Sequence, residues 1–164
     1  ARSLDNNKSV YMVPALTGLG APHWSPNARG AIYGITRDTG RVELARAALE
    51  SVAYQTNDLL NAIVADGISV SAVQVDGGMT SNDWLMQFLA DIIKMTVDRP
   101  KIKETTALGA AMLVLLQSDR SVSLQDIANR RKCDTQFKPE MNDTLRQELL
   151  EGWNLAIKRT LTGC

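Results

Sequence analysis

Residues 73–84, Val-Gln-Val-Asp-Gly-Gly-Met-Thr-Ser-Asn-Asp-Trp, are the stretch from which the fold can be worked out. Val73 and Val75 alternate with polar neighbours, which predicts a β-strand. Gly77 and Gly78 interrupt this pattern, and the residues after them have the periodicity of a helix. The order therefore predicts a strand, a tight turn and the N-terminus of a helix.

Residues 76–82, called the glycine turn below, can serve either a ligand or only the chain itself. We expect Thr80 to be the N-cap of the following helix, with Asp83 as the acidic partner of a capping box. Glycine has no Cβ, so a ligand can touch the backbone there, and the N–H groups of a helix start can face a polar ligand. A Gly-Gly pair also makes an ordinary strand-to-helix turn, and taken alone it favours that simpler interpretation.

Composition and charge argue against several classes of protein. The 164 residues allow one domain, or one domain with an appendage. The 18 Lys and Arg residues balance the 18 Asp and Glu residues, which argues against nucleic acid or an anionic membrane as the main partner. Cys133 and Cys164 stand far apart, so we expect neither a disulfide framework nor a zinc site. Without a long apolar run or a secretory signal pattern, we expect a cytoplasmic protein.

Strand-like and helix-like patterns alternate along the chain. The strand-like segments are residues 10–13, 31–35, 73–75 and 95–98. The helix-like segments are residues 41–66, 81–94, 104–117 and 142–161, with a short one at 123–129. This alternation predicts an α/β architecture with parallel strands. The helices need more sheet than these strands supply, so we expect either a small sheet or further strands upstream of Ala1.

The long helix at 41–66 should place its apolar side chains in the core. Steps of three and four residues predict a buried stripe formed by Ala45, Leu49, Val52, Thr56, Leu59 and Ile63. The same periodicity leaves to water the side chains of Glu43, Arg46, Glu50 and Asp58. Gly67 is then the natural residue after the helix end.

His23 and Trp84 each have a structural and a functional interpretation. His23 is the only histidine, and no Ser, Cys or carboxylate is visibly arranged around it, so we expect a packed or hydrogen-bonded loop residue rather than a catalytic base. Trp84 fits the buried stripe of its helix and is most simply a core anchor. The alternative for Trp84 is a platform on which a base stacks.

Five blocks of the sequence, taken in order, resemble one known family. They are Gly-Leu-Gly-Ala-Pro-His-Trp at 18–24, Ala-Arg-Gly at 28–30, the strand-to-helix run 30–50, Val-Asp-Gly-Gly at 75–78 and Thr-Ala-Leu-Gly-Ala-Ala at 106–111. Together they resemble the FGGY family of carbohydrate kinases, from about Val10 to Thr160. The first block is most similar to the branch that phosphorylates glycerol, although His23 and Ser25 stand where that loop more often has tyrosine and aspartate.

The resemblance implies a fold and a division of the chain. The fold is α/β, the later part of a ribonuclease-H-like (actin-like ATPase) domain, with parallel strands, flanking helices and the opening antiparallel strands missing. The whole range 1–164 is then a partial C-terminal kinase domain. Within it we expect a loop and strand region at 1–40, a helix-strand-helix-strand-helix core at 41–118 and a C-terminal helical extension at 119–164.

The resemblance also implies an activity and a site. The parent enzyme would transfer the γ-phosphoryl group of ATP, with Mg²⁺, to glycerol and give glycerol 3-phosphate. Gly78 and Asn82 match the family's adenine-site residues, and Asp76 and Gly77 shape that turn. The chain would supply no catalytic residue and no metal ligand, because these come from the missing N-terminal part of the same protein. We expect ATP or ADP and glycerol as partners, a homo-oligomer, and neither nucleic acid nor membrane.

Two alternatives stay open at this point. Another sugar kinase of the same family, such as a pentulose kinase, would share the fold and the adenine site. A non-catalytic nucleotide-binding or assembly fragment would share only the site. An actin-like chaperone ATPase also has a Gly-Gly adenine turn, but the block at 18–24 and the run at 30–50 speak against it.

Overall fold

The computed structural model describes residues 9–102, 105–118, 123–129 and 133–162. Within these ranges the strands are β1 Tyr11–Val13, β2 Ala31–Tyr33, β3 Ala72–Gln74, β4 Thr96–Pro100 and β5 Cys133–Phe137. The helices are α1 Arg41–Ala65, α2 Asp83–Ile93, α3 Thr105–Ser118, α4 Leu124–Asn129 and α5 Asp143–Thr162, together with a 3-10 helix at Gly78–Ser81. The predicted helix start at residue 104 and the residue Cys164 lie outside the described residues.

The strands form two small sheets, and the α/β class is confirmed. In the first, β1 pairs antiparallel with β2. In the second, β4 lies between β3, to which it is parallel, and β5, to which it is antiparallel. The expectation of parallel strands therefore holds only for β3 and β4. Connection length accounts for the first sheet and for β3 with β4, because parallel neighbours need a crossover such as α2, whereas the chain between β1 and β2 returns through a loop without a helix.

The core lies where α1, α2, α5 and β1 meet. Nearly every side of α2 is buried, including Leu85, Phe88 and Ile92. The ring of Tyr54 from α1 stacks on Trp153 of α5 at 5.2 Å between centroids and meets the edge of Phe88 at 5.7 Å. Aromatic contacts of this kind add to the gain from burying apolar area. Through Tyr54 they join α1 to both α2 and α5 in one core.

The predicted buried stripe of α1 is wrong. The helix buries Glu43, Arg46 and Glu50, which periodicity had left to water, while Ala45 is exposed and Leu59 is 43% exposed. Each buried charge has a partner. Glu43 accepts a hydrogen bond from the backbone N–H of Gly40 at 2.9 Å, and Arg46 Nε lies 2.7 Å from Glu50 Oε1. A buried ion pair with good geometry offsets much of the free energy that it costs to take the two charges out of water. The prediction from periodicity did not include such a pair.

The small side chains of α1 explain which face turns inward. Ala47, Ser51 and Ala53 are buried on that same face, and small residues let two helices approach closely. The C-terminal end of α1 agrees with the prediction, since Gly67 follows it with φ +87°.

Helix α3 differs from the other long helices. Among the described residues it buries none of its side chains, and Leu113 and Val114 are each 68% exposed. None of the described helices combines the length and the apolar character needed to cross a bilayer.

Candidate functional site

The two glycines of the glycine turn have different roles in the backbone. Gly77 has φ +85° and ψ 176°, a combination that is available almost only to glycine. Gly78 does not have a positive φ, and a Cβ placed on it would meet no heavy atom of the described residues within 4 Å. The turn therefore needs glycine at 77 but not at 78. Because Gly78 carries no side chain, its backbone is open on the surface after the end of β3.

The N-cap of α2 is Asn82, so the prediction of Thr80 as N-cap is wrong. A 3-10 helix at Gly78–Ser81 delays the start of α2 by two residues relative to the predicted one. Thr80 is buried in it, and its Oγ1 donates to the carbonyl oxygen of Gly77 at 2.7 Å. Asn82 Oδ1 accepts from the backbone N–H of Leu85 at 3.2 Å. Periodicity identified the helix, but it could not detect the tight turn that precedes it.

The amide of Asn82 is thereby divided between two tasks. Its oxygen caps α2. Within the described part of the chain, its Nδ2 group donates to no protein atom. A half-buried amide in this position can still offer two N–H donors to a ligand.

Asp76 connects the glycine turn to α3. Its Oδ2 accepts a hydrogen bond from Oγ1 of Thr105, the first residue of that helix. Asp76, Gly77, Gly78 and the start of α3 therefore lie together at one edge of the sheet, where the parallel strand β3 ends. Such an edge is where α/β proteins usually bind ligands.

The sequence analysis missed Arg99, which also contacts the glycine turn. Arg99 lies in β4, and its Nη1 donates to the carbonyl oxygen of Thr80 at 3.0 Å and to Asp83 Oδ1 at 2.6 Å. The only signal in the sequence is a charged residue between the strand-like segment 95–98 and Pro100. That signal gives no indication of a partner 19 residues earlier in the chain.

His23 and Trp84 both take part in protein contacts. His23 Nε2 lies 3.4 Å from Asp58 Oδ2, and the same oxygen accepts from Trp153 Nε1 at 2.8 Å. A cavity of about 310 Å³ beside His23 is lined by the loop before it, α1 and α5, and includes no residue of the glycine turn. Trp84 stacks on Phe88 at 5.3 Å between ring centroids. These contacts favour the structural interpretation of both residues.

The described residues contain no cluster that could hold a metal ion. Within them, no three His, Cys, Asp or Glu side chains come together at one point. The glycine turn thus offers bare backbone and the amide of Asn82, supported by the contacts of Asp76 and Arg99.

Two curated relatives match almost the full length of the chain. Glycerol kinase from Coxiella burnetii (strain Dugway 5J108-111) is 48% identical over 162 residues, which are 99% of this chain and 32% of that protein. Glycerol kinase from Ectopseudomonas mendocina is 54% identical over 151 residues, which are 92% of this chain and 30% of that protein. The chain thus spans about a third of the length of the curated relatives that it matches.

Solved structures share the fold. The crystal structure of Plasmodium falciparum glycerol kinase with ADP has a TM-score of 0.85 and 39% identity, and the match covers 98% of this chain and 32% of that one. The ligand-bound xylulose kinase from Lactobacillus acidophilus has a TM-score of 0.75 at 23% identity over 95% of this chain and 31% of that one, a likeness in fold alone. The model of the FGGY family of carbohydrate kinases, C-terminal domain, matches residues 2–118. The chain therefore belongs to the FGGY family of carbohydrate kinases.

Proposed function

We propose that the protein containing this chain is an ATP-dependent glycerol kinase, and that this chain supplies its adenine-binding side. The two curated relatives described above carry the name glycerol kinase, and the related Plasmodium falciparum structure was solved with ADP. The observation that carries the proposal for this chain is the geometry of Gly78. Neither the backbone conformation nor the packing of the described residues requires glycine at this position, so the backbone there is open to a ligand.

The chemistry of the glycine turn suits a purine. A flat base can lie against the bare backbone at Gly78, because no Cβ holds it away. Asn82 can donate from Nδ2 to a ring nitrogen of the base while its oxygen continues to cap α2. The two roles need different atoms of the same amide, so nucleotide binding requires no change in the helix start.

The role of the chain in phosphoryl transfer is to bind and orient. Transfer of a γ-phosphoryl group needs positioning, neutralisation of charge on the phosphates and a base for the attacking hydroxyl. The glycine turn would hold the adenosine end of ATP. Within the described residues no three His, Cys, Asp or Glu side chains form a metal-binding group, and we assign the metal, the base and the glycerol contacts to the remainder of the protein. The division into 1–40, 41–118 and 119–164 and a homo-oligomeric assembly remain parts of the proposal.

The test is a kinase assay on the full-length protein. With ATP and Mg²⁺ we expect phosphorylation of glycerol at a kcat/KM at least a hundredfold above that for xylulose. Phosphorylation of xylulose but not of glycerol would show a pentulose kinase and overturn the substrate while keeping the kinase. No turnover with either acceptor, combined with no binding of ADP, would overturn the nucleotide site as well.

A further inference from the structure

Arg99 is held firmly in the middle strand of the three-stranded sheet. Its Cα lies opposite Thr135 of β5, and the preceding residue Asp98 pairs with Gln74 of β3. Because β4 has a neighbour on each side, the backbone from which this side chain extends is fixed. The side chain is only 11% exposed.

The guanidinium group of Arg99 is bonded on all three of its nitrogens. Two of them face β5, where Nε donates to Asp134 Oδ2 at 3.2 Å and Nη2 donates to Thr135 Oγ1 at 3.2 Å. The third, Nη1, donates to Thr80 and Asp83 as described above. A planar guanidinium with donors in a fixed arrangement can join two elements at a defined distance.

The two contacts of Nη1 stand on either side of Asn82 in the sequence. The bonds inside the glycine turn are local, since both the N–H and the Oγ1 of Thr80 donate to the carbonyl oxygen of Gly77. Local bonds set the shape of the turn, and the backbone bond from the N–H of Val75 to the carbonyl oxygen of Asp98 at 3.1 Å fixes only its first end on β4. The bond from Arg99 to the carbonyl oxygen of Thr80 leaves the turn and reaches β4.

We propose that Arg99 is a positioning residue for the nucleotide, which holds the backbone at Gly78 and the amide of Asn82 where a purine meets both. The proposal rests on the proposed function, because it assigns Arg99 a role in that same adenine site. Arg99 itself does not touch the nucleotide. Its loss should weaken nucleotide binding and leave the chemical step intact, since the groups that react belong to the remainder of the protein.

The experiment compares Arg99→Met and Arg99→Lys in the full-length protein. We measure KM for ATP, KM for glycerol, kcat and the Kd for ADP. For Arg99→Met we expect KM for ATP and Kd for ADP to rise more than tenfold, while kcat and KM for glycerol stay within threefold. For Arg99→Lys, KM for ATP and Kd for ADP should lie between the values of the unmodified protein and of Arg99→Met. An ammonium group can still bond one carbonyl oxygen, but it cannot join both elements.

Arg146→Met is the matched control. Arg146 lies in α5, and its Nε donates to the carbonyl oxygen of Ile92 at 2.7 Å, so it supports the C-terminal end of α2 rather than its start. Loss of this arginine should lower the melting temperature but leave KM for ATP within twofold. An equal rise of KM for ATP in both variants would show a merely structural effect and overturn the inference.

Other outcomes separate this inference from the proposed function. If the unmodified protein uses ATP and Arg99→Met binds ADP equally well, Arg99 does not position the site and the proposed function stands. If the unmodified protein neither binds ADP nor uses ATP, both fail. If Arg99→Met does not fold, the double variant Asp134→Ala with Thr135→Val removes the side-chain contacts from β5 instead, and we expect KM for ATP to rise at least threefold. An unchanged KM for ATP in that variant would overturn the inference.

Discussion

Gly77 and Gly78 are adjacent, but the backbone of the turn requires glycine only at Gly77. Gly77 adopts a backbone conformation that other residues rarely reach, whereas Gly78 has an ordinary φ and open space where a side chain would be. The pair was visible in the sequence. The different roles of the two glycines could not be predicted, because the φ of a residue depends on the chain on both sides of it. Only Gly77 explains the turn.

Replacement of Gly78 by valine should therefore affect the ligand and not the fold. We expect Gly78→Val to weaken ADP binding to the full-length protein more than tenfold, about 1.4 kcal/mol or more, because the new side chain lies where the base would be. The melting temperature should stay within a degree or two, since a Cβ at this position meets no atom of the described residues within 4 Å. Calorimetric titration with ADP and a thermal melt measure both.

The control is Gly20→Val, in the loop beside His23. Gly20 also has no positive φ and has open space where a Cβ would be, but it lines the cavity beside His23 rather than the glycine turn. The Gly20→Val variant should bind ADP normally. If Gly78→Val does so too, the Gly-Gly pair is only a strand-to-helix turn.

Asn82 should respond differently to three substitutions, because its oxygen and its nitrogen have different tasks. Asn82→Ala loses the cap and the donor, so we expect stability to fall by about 1 kcal/mol and ADP binding to weaken. Asn82→Asp and Asn82→Ser keep an oxygen for the N–H of Leu85 but lose the amide donor. They should keep most of the stability and still bind ADP several-fold more weakly. Denaturant unfolding and ADP titration of the three variants separate the effects, and normal ADP binding by Asn82→Ser would exclude a contact from Nδ2.

Helix α1 shows where hydrophobic periodicity predicts the wrong buried face. The pattern predicted the helix and its end at Gly67 correctly, but it predicted the wrong face as buried. Periodicity treats every charge as a surface residue, and it cannot foresee that Arg46 and Glu50 will form a pair inside. The glycine turn was found because strand and helix signals are local. The contact from Arg99 was not found, because its partners come from other elements.

The burial of the Tyr11 phenol should make the packing of β1 against α1 and α5 sensitive to alkaline pH. Burial, and next the nearby Glu50 carboxylate, raise the pKa of Tyr11 to about 12 from an ordinary 10.0. The folded state thus holds the phenol proton more tightly than the unfolded chain does. This contribution to stability is complete below pH 10 and is lost as the pH rises towards 12.

The measurement is the unfolding free energy of the full-length protein between about pH 9 and pH 12, a range set by those two pKa values. We expect this free energy to fall as the pH rises. The unfolding free energy of Tyr11→Phe should fall less steeply, because that variant has no phenol proton to lose at residue 11. Tyr54 contributes in the same direction, since burial also raises its pKa. Parallel curves for the unmodified protein and Tyr11→Phe would contradict the assigned cause.

The α/β class and the family were both predictable from the sequence. The five blocks of residues that indicate the family are short and local, and the family assignment agrees with them. The pairing of strands was predicted less well. β5 has a polar sequence, Cys-Asp-Thr-Gln-Phe, and it is a strand because β4 offers it an edge. Tertiary contacts of this kind override local preference.

The chain alone should bind nucleotide weakly and catalyse nothing. We expect no ATP-dependent phosphorylation of glycerol by the isolated 164 residues, because the proposed function places the base, the metal and the glycerol contacts in the remainder of the protein. The measurement is a coupled assay for ADP release with the full-length protein as the positive control. Turnover by the isolated chain above the level of a Gly78→Val version of the same chain would contradict the expectation.

The exposed apolar side chains of α3 should affect the stability of the isolated 164-residue polypeptide inside a cell. A helix with Leu113 and Val114 so exposed offers the kind of apolar patch that chaperones hold and proteases remove. The abundance of the isolated polypeptide would then be set by quality control rather than by its nucleotide site. Polar residues at Leu113 and Val114 should raise its yield without changing the glycine turn, since neither side chain is buried against another described residue.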